Sequence, residues 1–214
     1  MKVNKSKLSL LVSFLFLVGF LWIAHGVYYN APWIVALDYR GNEIFRLDIS
    51  QEVTSLIFAF THIGNMRNLF YVALVTGAVL LYNKKWHSFF WFGFSMGVVG
   101  MAVPLMLKNA FQRTRPTDGL MLRTGYSFPS GHTMGTLAVY GLIIMLAVIY
   151  IKKAWLRYTV MVSSLAIILI ISWSRIHLGV HFLSDIIASM LLGLSFLIVA
   201  WWILSRFNVK YEQN

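Results

Sequence analysis

The chain has 214 residues, of which 59% are hydrophobic and 12% charged, whereas soluble domains average about 45–50% apolar and about 25% charged residues. This composition excludes a disordered chain, a coiled coil and almost any water-soluble fold, and the absence of cysteine excludes disulfides, thiol nucleophiles and zinc–thiolate sites. The apolar composition favours a membrane protein, whereas the net charge of +11 is also typical of nucleic-acid-binding proteins. The positions of the basic residues must decide between these two classes.

Six apolar runs follow along the chain, and a membrane span needs about 20 such residues. They cover Leu8–Val27, Leu69–Tyr82, Phe89–Leu107, Thr133–Ile151, Tyr158–Trp173 and Phe182–Leu204, of which the second is short. The first run follows three lysines, as in a cleaved signal peptide, but multi-span proteins normally keep their first helix. The sequence therefore predicts an all-α integral membrane protein, a six-transmembrane helix bundle that forms one domain over residues 1–214.

Residues 30–68, between the first two runs, are less apolar and mix aromatic with charged side chains. Val53–Phe60 concentrates its apolar residues on one side, which is typical of a helix that lies at the membrane interface. Gly64 and Asn65 should end this helix before the second span. We predict a short extracytoplasmic interfacial segment here, with a solvated loop and a partly buried helix as the alternative.

The basic residues divide unequally between the two sides of the membrane. With six spans both termini share one side, which holds ten basic residues and one acid and carries a net charge of +9, against +2 on the other side. The ten are Lys2, Lys5, Lys7, Lys84, Lys85, Lys152, Lys153, Arg157, Arg206 and Lys210. The positive-inside rule makes this side cytoplasmic. We therefore predict a multi-pass cell-membrane protein with cytoplasmic termini and no nucleic-acid partner.

Polar and ionisable residues at membrane depth are expensive and are functional candidates by default. Here they form three clusters: Lys108 to Pro116 after the third span, Pro129 to His132 before the fourth, and Ser174 to Asp185 between the fifth and sixth. In the six-span topology all three reach the outer face. The sequence therefore predicts one composite site on the extracytoplasmic side.

The first chemical element of this site is a set of anion-binding groups. Lys108, Arg115 and Arg175 supply one ammonium and two forked guanidiniums, which suit a phosphate. Ser130 is a good N-cap, so the amide of Gly131 and the one after it would be free donors at a helix N-terminus. Each feature alone is commonplace, as a snorkelling anchor or a turn. Their convergence on one face favours a phosphate site.

The second element is a set of groups for proton and phosphoryl transfer. His181 and Asp185 are four residues apart, so on a helix the carboxylate can hold the imidazole and fix its tautomer. An oriented imidazole beside a phosphate can act as a nucleophile, with His132 as acid and base. A metal site on His177, His181 and Asp185 is the alternative, but a helix end at Gly179 would separate the two histidines.

The segments Lys108-x6-Arg115-Pro116, Pro129-Ser130-Gly131-His132 and Ser174-Arg175-x5-His181-x3-Asp185 resemble the three-part signature of the type 2 phosphatidic acid phosphatase family. The signature region covers residues 108–185, and its order is that of the family. The family also contains soluble vanadium haloperoxidases, which the hydropathy of this chain argues against.

The resemblance implies a metal-independent phosphatase without cofactor that works through a phosphohistidine intermediate. It assigns His181 as the nucleophile, Asp185 as its orienting partner, and His132 as the general acid for the leaving group and then the base for water. The residues that it assigns to the phosphoryl oxygens are Lys108, Arg115 and Arg175, helped by Ser130 and Gly131.

The expected substrate is a lipid phosphate or pyrophosphate, because a headgroup at the interface can meet the three clusters while its tails stay in the bilayer. Candidates are phosphatidylglycerophosphate, phosphatidate, diacylglycerol pyrophosphate and undecaprenyl pyrophosphate, and no residue chooses among them. Two alternatives stay open. One is a lipid-to-acceptor phosphotransferase, and the other is a non-catalytic transporter or binding protein for anionic lipids.

The orientation can be tested by cysteine labelling, since the native chain contains no cysteine. A membrane-impermeant maleimide added to intact cells should label Thr117→Cys, which the charge asymmetry places outside. The matched control Lys84→Cys should react only after the membrane is permeabilised. Labelling of Thr117→Cys only from the cytoplasmic side would overturn the topology.

Overall fold

The computed structural model describes residues 5–46, 50–121 and 123–206, and the regular secondary structure in this part of the chain is all helical, without a strand. Its helices are α1 Lys5–Tyr28, α2 Pro32–Phe45, α3 Gln51–Thr61, α4 Met66–Tyr82, α5 Trp86–Met96, α6 Val103–Phe111, α7 Gly131–Tyr150, α8 Ala154–His177 and α9 Leu183–Arg206. A 3-10 turn, His62–Gly64, joins α3 to α4, and a π-helical turn, Gly97–Ala102, joins α5 to α6. The predicted all-α class is confirmed.

Five helical segments within the described residues are long and apolar enough to cross a membrane. They are Lys7–Tyr28, Trp86–Phe111, Gly131–Tyr150, Ala154–His177 and Leu183–Ser205, and each contains most or all of one predicted run. The short second run is different, because α4 passes the test only together with the helix before it, across a bend of 52° between Gln51–Gly64 and Met66–Tyr82. The six-span count stays a prediction that depends on this bent pair.

Residues 30–68 are more helical than a solvated loop would be. Helix α2 has Pro32 in its first turn, where a proline costs no backbone hydrogen bond, and its residues Ile34 and Asp38 are almost fully buried. The Ser50 side chain caps α3 by accepting a hydrogen bond from the amide of Val53 at 3.4 Å. Of the alternative, the solvated loop is therefore wrong for α2, whereas a partly buried helix is present there. The interfacial position of α3 stays a prediction.

Helix α7 is the most buried helix and lies between α8 and α9, while α1 packs along α9. On one side Met134 shares an apolar cluster with Phe20 of α1, and on the other Leu142 shares a second cluster with Leu69 of α4 and Ile168 of α8. The outer faces carry large apolar side chains that are more than half exposed, among them Phe14, Leu74, Phe94 and Val162. Such a surface fits a bilayer, where lipid tails solvate it.

Helix α2 reaches the start of α9 through one close approach. A Cβ atom on Gly41 would lie 2.4 Å from the Cβ of Leu183, closer than real side chains come. Because both atoms are attached directly to helix backbones, neither can move aside without shifting a helix. A glycine is therefore required where α2 crosses α9.

Substitution of this glycine should loosen the bundle. Gly41→Ala is expected to destabilise the protein by about 1–3 kcal/mol, because the added methyl group overpacks the α2–α9 contact. Gly93→Ala is the control, since a Cβ there meets nothing within 4 Å, and it should leave stability unchanged or raise it by up to about 1 kcal/mol. Thermal unfolding of both variants in detergent measures the difference, and equal midpoints would contradict the packing described.

Candidate active site

The three predicted clusters meet at one end of the helix bundle. Helix α6 ends at Phe111 with Gln112 in the left-handed conformation, and a long loop then carries Arg115 back to the start of α7. Helix α8 ends at His177, and the chain turns at Gly179, whose φ of +62° favours glycine, before α9 begins. The predicted helix end at Gly179 is confirmed.

Two glycines hold the α6–α7 loop against the corner between α8 and α9. A Cβ atom on Gly119 would lie 2.5 Å from the carbonyl oxygen of Gly179, and one on Gly179 would lie 2.7 Å from the Cα of Gly119. Next to this contact, the amide of Leu120 donates to the carbonyl of Leu178 at 3.0 Å. The backbones thus touch directly, and this contact brings the loop that bears Arg115 to His181.

His181 is buried and is held at both ring nitrogens. Its Nδ1 donates to Oδ2 of Asp185 at 3.2 Å, and the same carboxylate oxygen accepts the amide of Phe182 at 3.0 Å. Nη1 of Arg115 donates to Nε2 at 3.1 Å and to the Val180 carbonyl at 2.8 Å. These partners place the hydrogen on Nδ1 and the lone pair on Nε2. The predicted His181–Asp185 pair is present, although His181 precedes α9 rather than lying on it.

The surroundings of His181 keep its ring uncharged. Burial lowers its pKa well below the ordinary histidine value, and the positive charges of Arg115, Arg175 and Lys108 lower it further, in that order. All three predicted cations therefore act on this imidazole. A neutral ring with its lone pair on Nε2 is the form that can attack an electrophile.

The three cations are held in different ways. Lys108 donates from Nζ to the carbonyl of Tyr126, and Arg115 donates from Nη2 to the same carbonyl at 3.1 Å and from Nε to that of Gly125 at 3.0 Å. Arg175 is 1% exposed, and its Nη1 donates to Oγ1 of Thr61 at 2.7 Å. Its Nε has no partner among the described residues. A buried guanidinium N–H without an acceptor favours an anion.

The second cluster forms the N-terminus of α7. Oγ of Ser130 accepts hydrogen bonds from the amide of Thr133 at 3.4 Å and from its hydroxyl at 3.1 Å, which confirms the predicted N-cap. Ser130 therefore supports the helix end through its Oγ. The amides of Gly131 and His132 have no acceptor within the helix. The Cε of Lys108 lies 3.8 Å from where a Cβ of Gly131 would be.

His132 has a partner that the sequence did not indicate. Its Nε2 donates to Oδ1 of Asn65 at 2.9 Å. Asn65 lies at the bend between α3 and α4, in the segment that was predicted only to break a helix. Thr61, the partner of Arg175, ends α3 just before this bend. The bent pair α3–α4 thus contributes two polar groups, of Thr61 and Asn65, to the site. The predicted helix break at Gly64 and Asn65 was the one sequence signal near them.

Arg113 and Asp38 are the other groups missed by sequence reasoning. Nη1 of Arg113 donates to Oδ1 of Asp185 at 2.6 Å and to the hydroxyl of Ser184 at 2.7 Å, while its Nη2 donates to Oδ2 of Asp38 at 2.5 Å. Arg113 lies within the first cluster but was assigned no role. Asp38 belongs to the mixed charged and aromatic segment 30–68, and only its burial on α2 reveals its contact.

The alternative metal site does not assemble. His177 is the last residue of α8, and its ring packs against Trp173 with the ring centroids 5.2 Å apart. The turn at Gly179 carries His181 away from it, as the sequence suggested. Over residues 5–46, 50–121 and 123–206, no three His, Cys, Asp or Glu side chains form a group that could hold a metal ion.

Comparison with known proteins identifies the family. The model of the PAP2 superfamily matches residues 88–208, which is more than half of the chain and includes all three clusters. The chain belongs to the PAP2 superfamily. The resemblance to type 2 phosphatidic acid phosphatases, drawn from the three segments, is thereby confirmed.

The chain is similar to individual PAP2 proteins, among them a transmembrane one. Phosphatidylglycerophosphatase B of Bacillus subtilis (strain 168) is 30% identical to this PAP2 protein over 148 residues, which are 66% of this chain and 70% of the relative. The crystal structure of a transmembrane PAP2 type phosphatidylglycerolphosphate phosphatase from Bacillus subtilis has a TM-score of 0.84 at 22% identity and covers 92% of this chain and 98% of that one. Aquifex aeolicus LpxE has a TM-score of 0.59 at 18% identity, with 74% and 91% covered. With its apolar helices, the PAP2 protein is a membrane protein.

The state of His181 can be measured directly. Because its pKa is lowered well below the ordinary value, the ring should stay neutral with hydrogen on Nδ1 as the pH falls through about 6.5, where an ordinary histidine gains a proton. Acid must charge this buried ring, so its contribution to stability is present above about pH 6.5 and is lost as the pH falls. Nitrogen-15 NMR of labelled histidine, assigned by loss of the signal in His181→Asn, reports the tautomer. A ring that is protonated above pH 6 would contradict this environment.

Proposed function

We propose that this PAP2 protein hydrolyses a membrane lipid phosphate or pyrophosphate at the extracytoplasmic face, without a metal ion and through a phosphohistidine intermediate. The observation that carries the proposal is the state of His181, a buried neutral imidazole whose Nδ1–H is held by Asp185 and whose Nε2 lone pair faces the Arg115 guanidinium. The name of the Bacillus subtilis relative, a phosphatidylglycerophosphatase, supports the reaction class.

In the first step, Nε2 of His181 attacks phosphorus and the bond from phosphorus to the leaving oxygen breaks. His132, which begins this step as the imidazolium, donates a proton to that oxygen, and this matters most for a lipid alkoxide because it is a poor leaving group. The attacking ring becomes cationic as the P–N bond forms, and Asp185 stabilises this charge through the Nδ1 hydrogen bond. In this structure Arg115 donates a hydrogen bond to Nε2. Before attack, this N–H must donate to a phosphoryl oxygen instead, so that the Nε2 lone pair is free.

In the second step, water attacks phosphorus and the P–N bond breaks. His132, now neutral, takes the proton from water, and inorganic phosphate leaves with His181 restored as the neutral tautomer. In both steps the transferred phosphoryl group carries negative charge. We assign its oxygens to Lys108, Arg115 and Arg175 and to the amides at the α7 N-terminus, which Ser130 caps. This charge supply explains why the proposed reaction needs no cation from solution.

The lipid nature of the substrate follows from the position of the site. His181 and the α7 N-terminus lie at the ends of apolar helices whose outer faces expose large apolar side chains. A lipid headgroup can therefore enter the site while its tails stay along the helices. The substrate candidates are phosphatidylglycerophosphate, phosphatidate, diacylglycerol pyrophosphate and undecaprenyl pyrophosphate.

Phosphate release from these four lipids in mixed micelles, with EDTA present throughout, tests the proposed reaction. Hydrolysis of at least one lipid in EDTA is the expected result. A protein that transfers phosphate to an added alcohol but not to water would instead be a phosphotransferase, and a protein that binds the lipids without turnover would be the anionic-lipid carrier. Activity that EDTA abolishes and one divalent ion restores would overturn the metal-free mechanism.

The two site histidines should fail in different ways. His181→Ala should lower turnover by more than about 10³-fold with every leaving group, because no other group replaces the nucleophile. His132→Ala should lose lipid phosphatase activity but still form phosphoenzyme from an activated aryl phosphate, whose phenolate leaves without a proton. That phosphoenzyme should persist, because the base that activates water is missing.

Native trapping of labelled phosphate on each variant provides the measurement. His177→Ala is the matched control, since His177 lies on α8 away from Asp185, and it should keep measurable turnover. Phosphoenzyme formed by His181→Ala, or lost only in His177→Ala, would show that another residue is the nucleophile.

A further inference from the structure

The carboxylate of Asp185 serves two partners with its two oxygens. Oδ2 accepts Nδ1–H of His181 at 3.2 Å, and Oδ1 accepts Nη1–H of Arg113 at 2.6 Å. The other arm of the guanidinium, Nη2 of Arg113, donates to Oδ2 of Asp38 on α2 at 2.5 Å. The result is a chain of alternating charge, Asp38–Arg113–Asp185, that ends on the imidazole of His181.

The three charged groups, of Asp38, Arg113 and Asp185, are largely shielded from water. The side chains of Arg113, Asp38 and Asp185 are exposed by 13%, 6% and 0%. A carboxylate without contact to water stays ionised only when a charged partner or several hydrogen bonds compensate for the lost hydration. Arg113 supplies that compensation to Asp185.

Asp38 determines how much negative charge remains next to His181. If Arg113 faced Asp185 alone, its positive charge would offset the carboxylate that has to stabilise a cationic ring. Because Asp38 takes the second arm of the guanidinium, the three groups together carry one net negative charge. That negative charge lies next to His181, where the phosphohistidine develops positive charge.

Contacts from several elements fix the positions of Asp38 and Arg113. Ser184, in the first turn of α9, donates its amide to Oδ1 of Asp38 at 2.9 Å and its hydroxyl to Oδ2 at 3.0 Å. The guanidinium carbon of Arg113 lies 4.2 Å from the centroid of the Phe182 ring. Only a planar fork can reach both carboxylates from this position, and a lysine ammonium is a single point charge.

We propose that Asp38 and Arg113 are positioning residues for catalysis, because Arg113 bridges the carboxylates of Asp38 and Asp185 and so holds Asp185 ionised and aligned on His181. They act through Asp185 and touch no substrate. This proposal rests on the proposed function, since it assumes that His181 is the nucleophile. It gives α2, which lies outside the residues matched by the family model, a role in the reaction.

Asp38→Asn is the most direct test, because the amide keeps the shape of the carboxylate and can still accept the Ser184 amide. The rate constant for phosphoenzyme formation, measured by rapid quenching of a single turnover with an aryl phosphate, should fall about tenfold to a hundredfold, the range found for groups that orient a ligand of a reactive centre. The inhibition constant for vanadate should stay within about threefold, because the cations of the phosphate site are not altered.

Glu43→Gln is the matched control, with the same change from carboxylate to amide on the same helix. Glu43 is exposed and forms a hydrogen bond with the side chain of Tyr39, so this variant should keep the wild-type rate constant. Arg113→Lys is the second variant and retains the positive charge. It should lose at least tenfold in the same rate constant, because lysine cannot bridge both carboxylates.

The single-turnover measurement separates positioning from folding, because the amplitude reports the folded fraction and the rate constant does not. A reduced amplitude with a wild-type rate constant in Asp38→Asn would mean a purely structural role and would overturn the proposal. If Asp38→Asn yields no folded protein, a wild-type rate constant in Arg113→Lys has the same meaning. A wild-type protein that forms no phosphoenzyme would overturn the proposed function together with this inference, whereas a wild-type burst that both variants reproduce would overturn this inference alone.

Discussion

A carboxylate with no exposed surface at the start of a membrane-embedded helix has to find all of its partners inside the protein, and Asp185 is that carboxylate. Its partners come from the α8–α9 corner, from the α6–α7 loop and, through Arg113, from α2. Each of these elements must therefore reach the first turn of α9. The folding of three separate segments onto one helix end is a consequence of the need to keep one buried charge compensated.

Small backbone contacts make that convergence geometrically feasible. The Gly119–Gly179 contact lets the loop rest on the corner without an intervening side chain, and Gly41 lets α2 cross α9 at backbone distance. Side chains elsewhere then fill the bundle in the ordinary way, around the buried helix α7. The loop and the α8–α9 corner thus meet through their backbones at Gly119 and Gly179, while side chains such as Met134 and Leu142 fill the bundle around α7.

The sequence predicted well those features that follow from local patterns. Long apolar runs marked the five helices of spanning length, Ser130 marked a helix cap, and three short segments marked the family and most of the site. It did not predict the partners that depend on how distant segments meet. Asp38, Thr61 and Asn65 lie in the less apolar segment 30–68, which mixes charged with aromatic residues and carries none of the three motif segments. Arg113 stands beside a recognised residue, but only the three-dimensional contact with two carboxylates distinguishes it from Arg115.

The boundary of the family model and the boundary of the site do not coincide. The matched region begins at residue 88, whereas Asp38, Thr61 and Asn65 contribute to the site from before it. Residues 88–208 thus do not contain the whole candidate site, and a fragment limited to them would leave Arg113, Arg175 and His132 without these partners. A chimaera that exchanges the first 87 residues between PAP2 proteins would replace the exposed apolar surface of α1 and the polar contacts to Arg113, Arg175 and His132 at the same time, so the surface that suits a bilayer and the support of the candidate site would be exchanged as one unit.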